Sequence, residues 1–361
     1  MVGLSLGQLV IGPISDWTGR RRPLLIGLLL YATTSLLCGW AGSIEILICL
    51  RLAQGFAAAI AIVLSRAIVR DLYAGDKLVR VFATMMIALG GGPIVAPIAG
   101  AQLLRVTDWR GTFLALAAVA LVLVGVVALL LPETLPRAGR RSGSARAIVH
   151  DLKAVATERV FALCAITVAL TAAAFFTYLA ISPFVLQGLF GLSPQGFSAA
   201  FAVNAAGFVV GGQANRPLIR WLSTEQRLLT GVGIILTGGL SLLLAALFTV
   251  PPLALVLLAF FAVASGYGLT SPNCAALAMT GNRERAGTAS ALFGLSLYGL
   301  GSVVAPISGL LAASLVPTAA TITTLAAAAS VTTLLLLIQR RRTVRRSLRF
   351  QATSRTTSNS P

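Results

Sequence analysis

Acidic residues are scarce in this chain, which has ten Asp and Glu among 361 residues against 28 Lys and Arg. Charged residues of both signs make up 11%, where a soluble domain carries about 25%. With 57% hydrophobic residues, too few polar groups remain to cover a soluble surface, so the composition is that of an integral membrane protein. Histidine occurs once, as His150 in a basic connection, which argues against a His-centred enzyme or metal site. The four cysteines, Cys38, Cys49, Cys164 and Cys274, are scattered through apolar runs with neither metal-ligand spacing nor a disulfide framework. A cleavable leader is not expected either: no basic segment opens the chain, and the first apolar stretch runs straight into a charged turn.

What is present is a succession of apolar runs. About 20 apolar residues in helix cross the hydrocarbon layer. By that ruler spans fall at roughly 1–15, 23–42, 46–69, 79–104, 111–131, 160–187, 196–215, 227–249, 252–278, 286–313 and 317–338, about eleven in all. The basic residues sort between the spans. Arg20–Arg22, the group Arg66, Arg70, Lys77 and Arg80, the 137–159 connection, Arg216, Arg220 and Arg227, Arg283 and Arg285, and the tail from Arg340 all fall on one side. Opposite them stand only Arg105 and Arg110, with Arg51 inside a span. The positive-inside rule makes the basic side cytoplasmic. The net charge of +18 is then a topological signal rather than a nucleic-acid footprint, and no nucleic-acid partner is expected.

Gly92-Pro-Ile-Val-Ala-Pro97-Ile-Ala-Gly100 recurs as Gly301-Ser-Val-Val-Ala-Pro306-Ile-Ser-Gly309, both inside apolar runs. Proline removes a helical hydrogen bond and bends the axis, and closely spaced glycines admit a neighbouring backbone. Such segments at matching places in two halves point to a transporter built from repeats; coincidence in an Ala/Gly/Val-rich chain is the alternative. Equal halves would need six spans each, and an odd count leaves Met1 opposite the basic C-terminus. The expectation is therefore a helix upstream of Met1. The organisation reads as an N-terminal bundle of five spans (1–136), a basic cytoplasmic linker (137–159), a C-terminal bundle of six (160–339) and a disordered basic tail (340–361).

Gly12-Pro-Ile-Ser-Asp16-Trp-Thr-Gly19-Arg20-Arg21-Arg22 joins the first two spans. Gly19 permits a tight turn, the arginines anchor it in the cytosol, and Asp16 can face a helix N-terminus or a neighbouring arginine. This stretch resembles the G-x-L-x-D-R-x-G-R-R gate loop of the major facilitator superfamily, with Ile14 in place of Leu and Trp17 in place of Arg. Arg51-Leu-Ala-Gln54-Gly55, Ser65-Arg66-Ala-Ile-Val-Arg70-Asp71-Leu and Trp109-Arg110-Gly-Thr-Phe113 resemble the Bcr/CflA-type drug-resistance transporters, with Gly212-Gln-Ala-Asn215-Arg216 a weaker second-half counterpart. The segment around Gly92, Pro97 and Gly100 is similar to the proline/glycine motif of antiporters, with Ala96 and Ala101 where glycines are usual. The resemblance implies an all-α polytopic membrane protein of the major facilitator fold. It would have two pseudo-symmetric six-helix bundles, the first helix of the N-terminal one missing.

Arg51 is costly inside a bilayer, by about 2.5–3.5 kcal/mol on insertion scales, so it should face the bundle interior and have a partner. The resemblance makes it a transport and coupling residue; the alternative is that it snorkels to the outer interface and pairs with Glu45. Gln54 shares its helical face at i+3. The acids Asp16, Glu45, Asp71, Asp76, Asp108, Glu133, Asp151, Glu158, Glu225 and Glu284 all lie in connections or at span ends. An intramembrane proton carrier is thus expected on the upstream helix, and residues 1–361 alone are expected not to couple. Polar or aromatic residues within apolar spans, Phe175, Phe176, Tyr178, Asn204, Tyr267 and Asn273, are candidates for a cavity that takes a lipophilic cationic or neutral compound. Taken singly, each such residue is more often helix packing or an interhelical hydrogen bond than a ligand contact.

The reading is export of small hydrophobic compounds by alternating access, without a cofactor and driven by the proton gradient, from a cytoplasmic (inner) membrane. Membrane lipid and lipophilic substrates are the expected partners, and the monomer the working unit. Rival readings are export of a sugar, amino-acid derivative or siderophore, and a non-transporting relic. A membrane enzyme comes last, because no nucleophile, metal cluster or acid pair has recognisable spacing.

Overall fold

The computed structural model describes residues 1–73, 77, 81, 84, 85, 92, 95, 96, 98–135, 145–282, 285–310 and 315–358, with the backbone alone described at 13, 145–148, 286 and 341–358. No strand occurs among the described residues. The helices are α1 (Val2–Thr18), α2 (Arg21–Gly39), α3 (Ile44–Leu72), α4 (Trp109–Leu130), α5 (Ala145–Thr157) and α6 (Arg159–Pro183), the last prolonged by a π-helical turn, Phe184–Leu189. There follow α7 (Pro194–Leu218), α8 (Thr224–Ala245), α9 (Leu253–Thr280), α10 (Ala286–Leu310) and α11 (Leu315–Ser358). Nine helices among the described residues are long and apolar enough to cross a membrane. α1 is apolar over the shorter stretch Val2–Gly12. The span expected at 79–104 lies largely outside the described residues, although 98–103 is helical.

The starts of these helices follow from local chemistry. The side chains of Ser43, Asp108, Glu158, Ser193 and Ser223 each accept a hydrogen bond from a backbone N–H of the first turn that follows. Orphan amides are thereby satisfied at five helix ends. At α8 the arrangement is reciprocal, Gln226 Oε1 accepting from Ser223 N–H at 2.8 Å. Between α1 and α2 the chain turns at Gly19 with φ +93°, a region that side chains disfavour. Where a disordered tail was expected, α11 runs on to Ser358; no Gly or Pro interrupts the sequence between Pro317 and Pro361. The linker region likewise carries α5, which packs on α6 and α10.

Packing repeats itself between the two ends of the chain. α1 lies against α3 as α7 lies against α9, and α2 against α4 as α8 against α11. The first pair in each set crosses at small residues. A Cβ at Gly3 would overlap the Leu52 carbonyl oxygen, and one at Gly211 would overlap that of Ser265. Without a hydrophobic drive between helices in lipid, such close backbone approach is what holds them together. α6 is the centre of the later bundle, packing on α9, α10 and α11, with residues such as Val168, Ala172, Ile181 and Leu186 fully covered. The two bundles meet where α1 runs along α10. Outward-facing Ile26, Val122, Leu129, Val203 and Leu258 stay exposed, as lipid-facing side chains do. All four cysteines are free: Cys38, Cys164 and Cys274 are buried and Cys49 is exposed.

Candidate functional site

Polar side chains gather at four places. The first lies at the helix ends around the α1–α2 turn. Arg20, only 4% exposed, reaches Asp16 Oδ1 at 2.7 Å and Asp71 Oδ2 at 2.9 Å, and donates to Ser15 Oγ at 2.5 Å. Its backbone N–H donates to Glu133 Oε1 at 2.7 Å, and that of Arg21 to Glu133 Oε2 at 3.3 Å. Arg21 Nη2 donates to the Ala128 carbonyl at 2.5 Å. Burial by itself would lower the Arg20 guanidinium, but hydrogen bonds and charges from Asp71 and Asp16 outweigh it and hold the group above its usual value. One arginine thus ties the ends of α1 and α3 together, and Glu133 adds the segment that follows α4. Asp16 takes the arginine partner open to it in the sequence; Asp71, Ser15 and Glu133 were not assigned to the loop. Gly12 faces open space and Trp17 stays 44% exposed.

The second is a hydrogen-bonded line between α3 and α2. Arg51 Nη1 donates to Gln54 Oε1 at 2.5 Å, Gln54 Nε2 to Ser35 Oγ at 2.6 Å, and Ser35 Oγ to the Tyr31 carbonyl at 2.7 Å. Gln54 and Ser35 are buried, whereas Arg51 is exposed, its Cζ 5.5 Å from the Phe113 ring centroid. No carboxylate pairs with Arg51 among the described residues; Glu45 is not its partner. The i, i+3 spacing brought Arg51 and Gln54 together, as expected from one helical face. Ser35, on another helix, carried no signal.

The third cluster closes the corresponding end of the later bundle. Arg227, 9% exposed, donates to Asn215 Oδ1 at 3.3 Å and to Thr224 Oγ1 at 3.1 Å. Asn273 Nδ2 donates to the same Asn215 oxygen at 2.7 Å and to the Leu269 carbonyl at 2.7 Å. Asn273, a candidate cavity residue, thus makes its hydrogen bonds within this network. Near the end of α7 Asn215 meets Arg227 through an amide, whereas near the end of α1 Asp16 meets Arg20 through a carboxylate. A little further on, Arg340 meets Glu225 at 2.6 Å and fastens the end of the apolar part of α11 to α8.

Aromatic rings from α6, α7, α9 and α10 form the fourth. Phe175 stacks on Tyr267 with centroids 4.7 Å apart and on Phe208 at 5.7 Å, while Phe176 stacks on Tyr298 at 5.7 Å. Tyr178 packs on Phe260 at 4.9 Å and Phe201 at 6.0 Å. The Tyr178 hydroxyl faces the Asn204 amide, yet neither Tyr178 Oη nor Asn204 Nδ2 completes a well-formed hydrogen bond. Such groups left unpaired in an apolar interior cost free energy. Phe175, Tyr178, Asn204 and Tyr267 are therefore contiguous. Phe176, Phe208 and Tyr298 complete the wall.

Of the repeated segments, Gly92 and Gly100 occupy helical positions and Pro97 lies outside the described residues. In the second copy, Pro306 sits inside α10, Gly309 is half-buried, and Gly301 is buried against the Phe176 ring, which a Cβ would meet at 2.6 Å. Among the described residues no three His, Cys, Asp or Glu side chains are grouped to hold a metal ion.

Three comparisons bear on this arrangement. The family model described as Major Facilitator Superfamily matches residues 1–306. The chain is 35% identical over 322 residues to an uncharacterised MFS-type transporter, YdgK, of Bacillus subtilis, covering 89% of this chain and 80% of that one. It is 27% identical over 320 residues to a bicyclomycin resistance protein homologue of Haemophilus influenzae, covering 88% and 79%. The fold matches the crystal structure of a bacterial homologue of the human lysosomal transporter Spinster, inward-facing and unoccupied, with a TM-score of 0.63 at 16% identity, over 93% of this chain and 88% of that one.

Proposed function

This chain belongs to the Major Facilitator Superfamily, and on that premise we propose that it exports small hydrophobic compounds by alternating access, as a Bcr/CflA-type transporter. The observation that supports the substrate class is the wall of Phe175, Phe176, Phe208, Tyr267 and Tyr298, whose rings pack on one another. Flat apolar surfaces favour aromatic or aliphatic compounds, and scattered hydroxyl and amide groups orient them. The resistance name of the Haemophilus relative is in keeping with this reading. A sugar or amino acid would call for charged or densely hydrogen-bonding side chains, whereas these rings meet chiefly one another.

The α1–α10 contact supplies the surface on which two bundles can rock. The clusters around Arg20 and Arg227 keep the helix ends of each bundle together as it moves. The basic connections lie in the cytoplasm, with the linker and the C-terminus, and the membrane is the inner one. Arg51 acts in coupling, and the proton gradient supplies the energy without a cofactor. The unit is a monomer in lipid. In the later bundle α6 holds the centre, packing on α9, α10 and α11.

The test is purified protein in proteoliposomes under an imposed pH gradient, challenged with neutral and cationic lipophilic compounds and, separately, with sugars and amino acids. Lipophilic compounds should discharge the gradient in the intact protein, and Tyr267→Ala should weaken the response at least several-fold. Discharge by polar solutes alone would favour the metabolite-export reading.

A further inference from the structure

The side-chain line at Arg51 has a direction, and one serine sets it. A glutamine amide is nearly symmetric in shape, so its two ends are told apart by what they face. A guanidinium only donates, so the end of Gln54 toward Arg51 must be the oxygen. The far end is then an NH₂ group and needs an acceptor. Ser35 Oγ provides it, because its own proton is already given to the Tyr31 carbonyl one turn back. Reversal of the amide would set donor against donor at Arg51 and leave the Gln54 oxygen facing the Ser35 lone pairs. Ser35 is fully covered and Gln54 is 2% exposed, so water is not at hand to make good either loss.

We propose that Ser35 is a positioning residue for transport: by accepting from Gln54 it keeps the Gln54 oxygen on Arg51 and so holds the guanidinium in place. The inference rests on the reading of Arg51 as the coupling residue. Arg51 itself is exposed, lies against the Phe113 ring and has no carboxylate among the described residues. A neutral amide secures one edge of the cation and leaves its charge available to an anionic group that approaches and departs during the cycle. A carboxylate in Gln54's place would neutralise Arg51 permanently. The line is short, buried at its two inner members, and rooted in backbone. That is the construction needed to place a long, flexible side chain repeatedly.

The experiment uses the full-length protein in proteoliposomes and compares wild type, Ser35→Ala, Arg51→Ala and the double variant. Export rate is followed against substrate concentration and against pH. Ser35→Ala should lower turnover about tenfold with KM within about twofold, and should shift the pH profile. In the Arg51→Ala background it should cost little more, since both changes break one line. A Ser35→Ala protein with unaltered turnover and pH profile would overturn the proposal, and so would a full additional loss in the double variant. If Arg51→Ala alone exports like wild type, the coupling reading itself falls, a result distinct from the other two. Should Ser35→Ala fail to accumulate in membranes, Gln54→Met interrupts the same line at similar length. It is expected to shift the pH profile in the same direction, and an unchanged profile would likewise sink the idea.

Discussion

Arg20 and Asp71 are 51 residues apart in the chain and 2.9 Å apart in the structure. The Asp71 side chain is 16% exposed and that of Asp16, the other partner, 45%. Coulomb attraction is screened less where water is excluded, so the two carboxylates are unequal. Asp71→Asn should destabilise the first bundle by roughly 1–3 kcal/mol, the cost of weakening a hydrogen bond to a buried charge. Asp16→Asn should cost less. Melting temperatures of the purified protein decide the order, and equal shifts would contradict it.

Gly7 and Gly12 lie on one helix with different surroundings. A Cβ at Gly7 would press on Ala59 Cβ and the Phe56 carbonyl, whereas one at Gly12 meets nothing within 4 Å. Gly7→Val should force α1 away from α3 and cut the monodisperse yield several-fold. Gly12→Ala should leave it unchanged, with a gain of about 0.5–1 kcal/mol from the better helix former. Size-exclusion profiles after extraction read both.

Asn215→Asp would give Arg227 the carboxylate that Arg20 already has. The new group would lie near 3.3 Å from the guanidinium and still accept from Asn273. The added stability depends on the new carboxylate being ionised, so it should be present at pH 7 and lost once acid protonates that group. A melting temperature raised at pH 7 and unchanged at strongly acid pH is the expected pattern.

Tyr178→Phe removes a hydroxyl that lacks a well-formed partner inside the aromatic cluster. Deleting such a group should be neutral or stabilising by up to about 1 kcal/mol. If the Tyr178–Asn204 pair touches substrate, the order of preference among exported compounds should change while the melting temperature does not fall. An unchanged preference would assign the pair to packing.

Local patterns made much of this molecule readable. Asp16, Arg20 and Gly19 stand close together in sequence, and Arg51 and Gln54 are one helical turn apart, so each set was visible without a fold. Asn273 shows where such reading stops. A polar residue beside Pro272 in an apolar run suggests the middle of a bundle, yet its hydrogen bonds go to Asn215, 58 residues earlier, at a helix end. Likewise Glu133 follows α4 as an unremarkable acid and proves to hold the Arg20 and Arg21 amides.

The sequence by itself determined that this is an all-helical, multi-pass membrane protein, where most of its helices begin, and which connections gather the basic residues. Those properties depend on hydropathy, caps and charge within short stretches, and each is a sum over neighbours in the chain. The tertiary structure alone decided that Asp71 joins Asp16 on Arg20, that Ser35 meets Gln54, and that Phe175, Tyr267 and Phe208 share one wall. Those pairings depend on how far each helix is rotated and raised against the next, and close contacts such as Gly3 on Leu52 and Gly211 on Ser265 set both. A quarter-turn of one helix would leave every apolar run in place and change every partner.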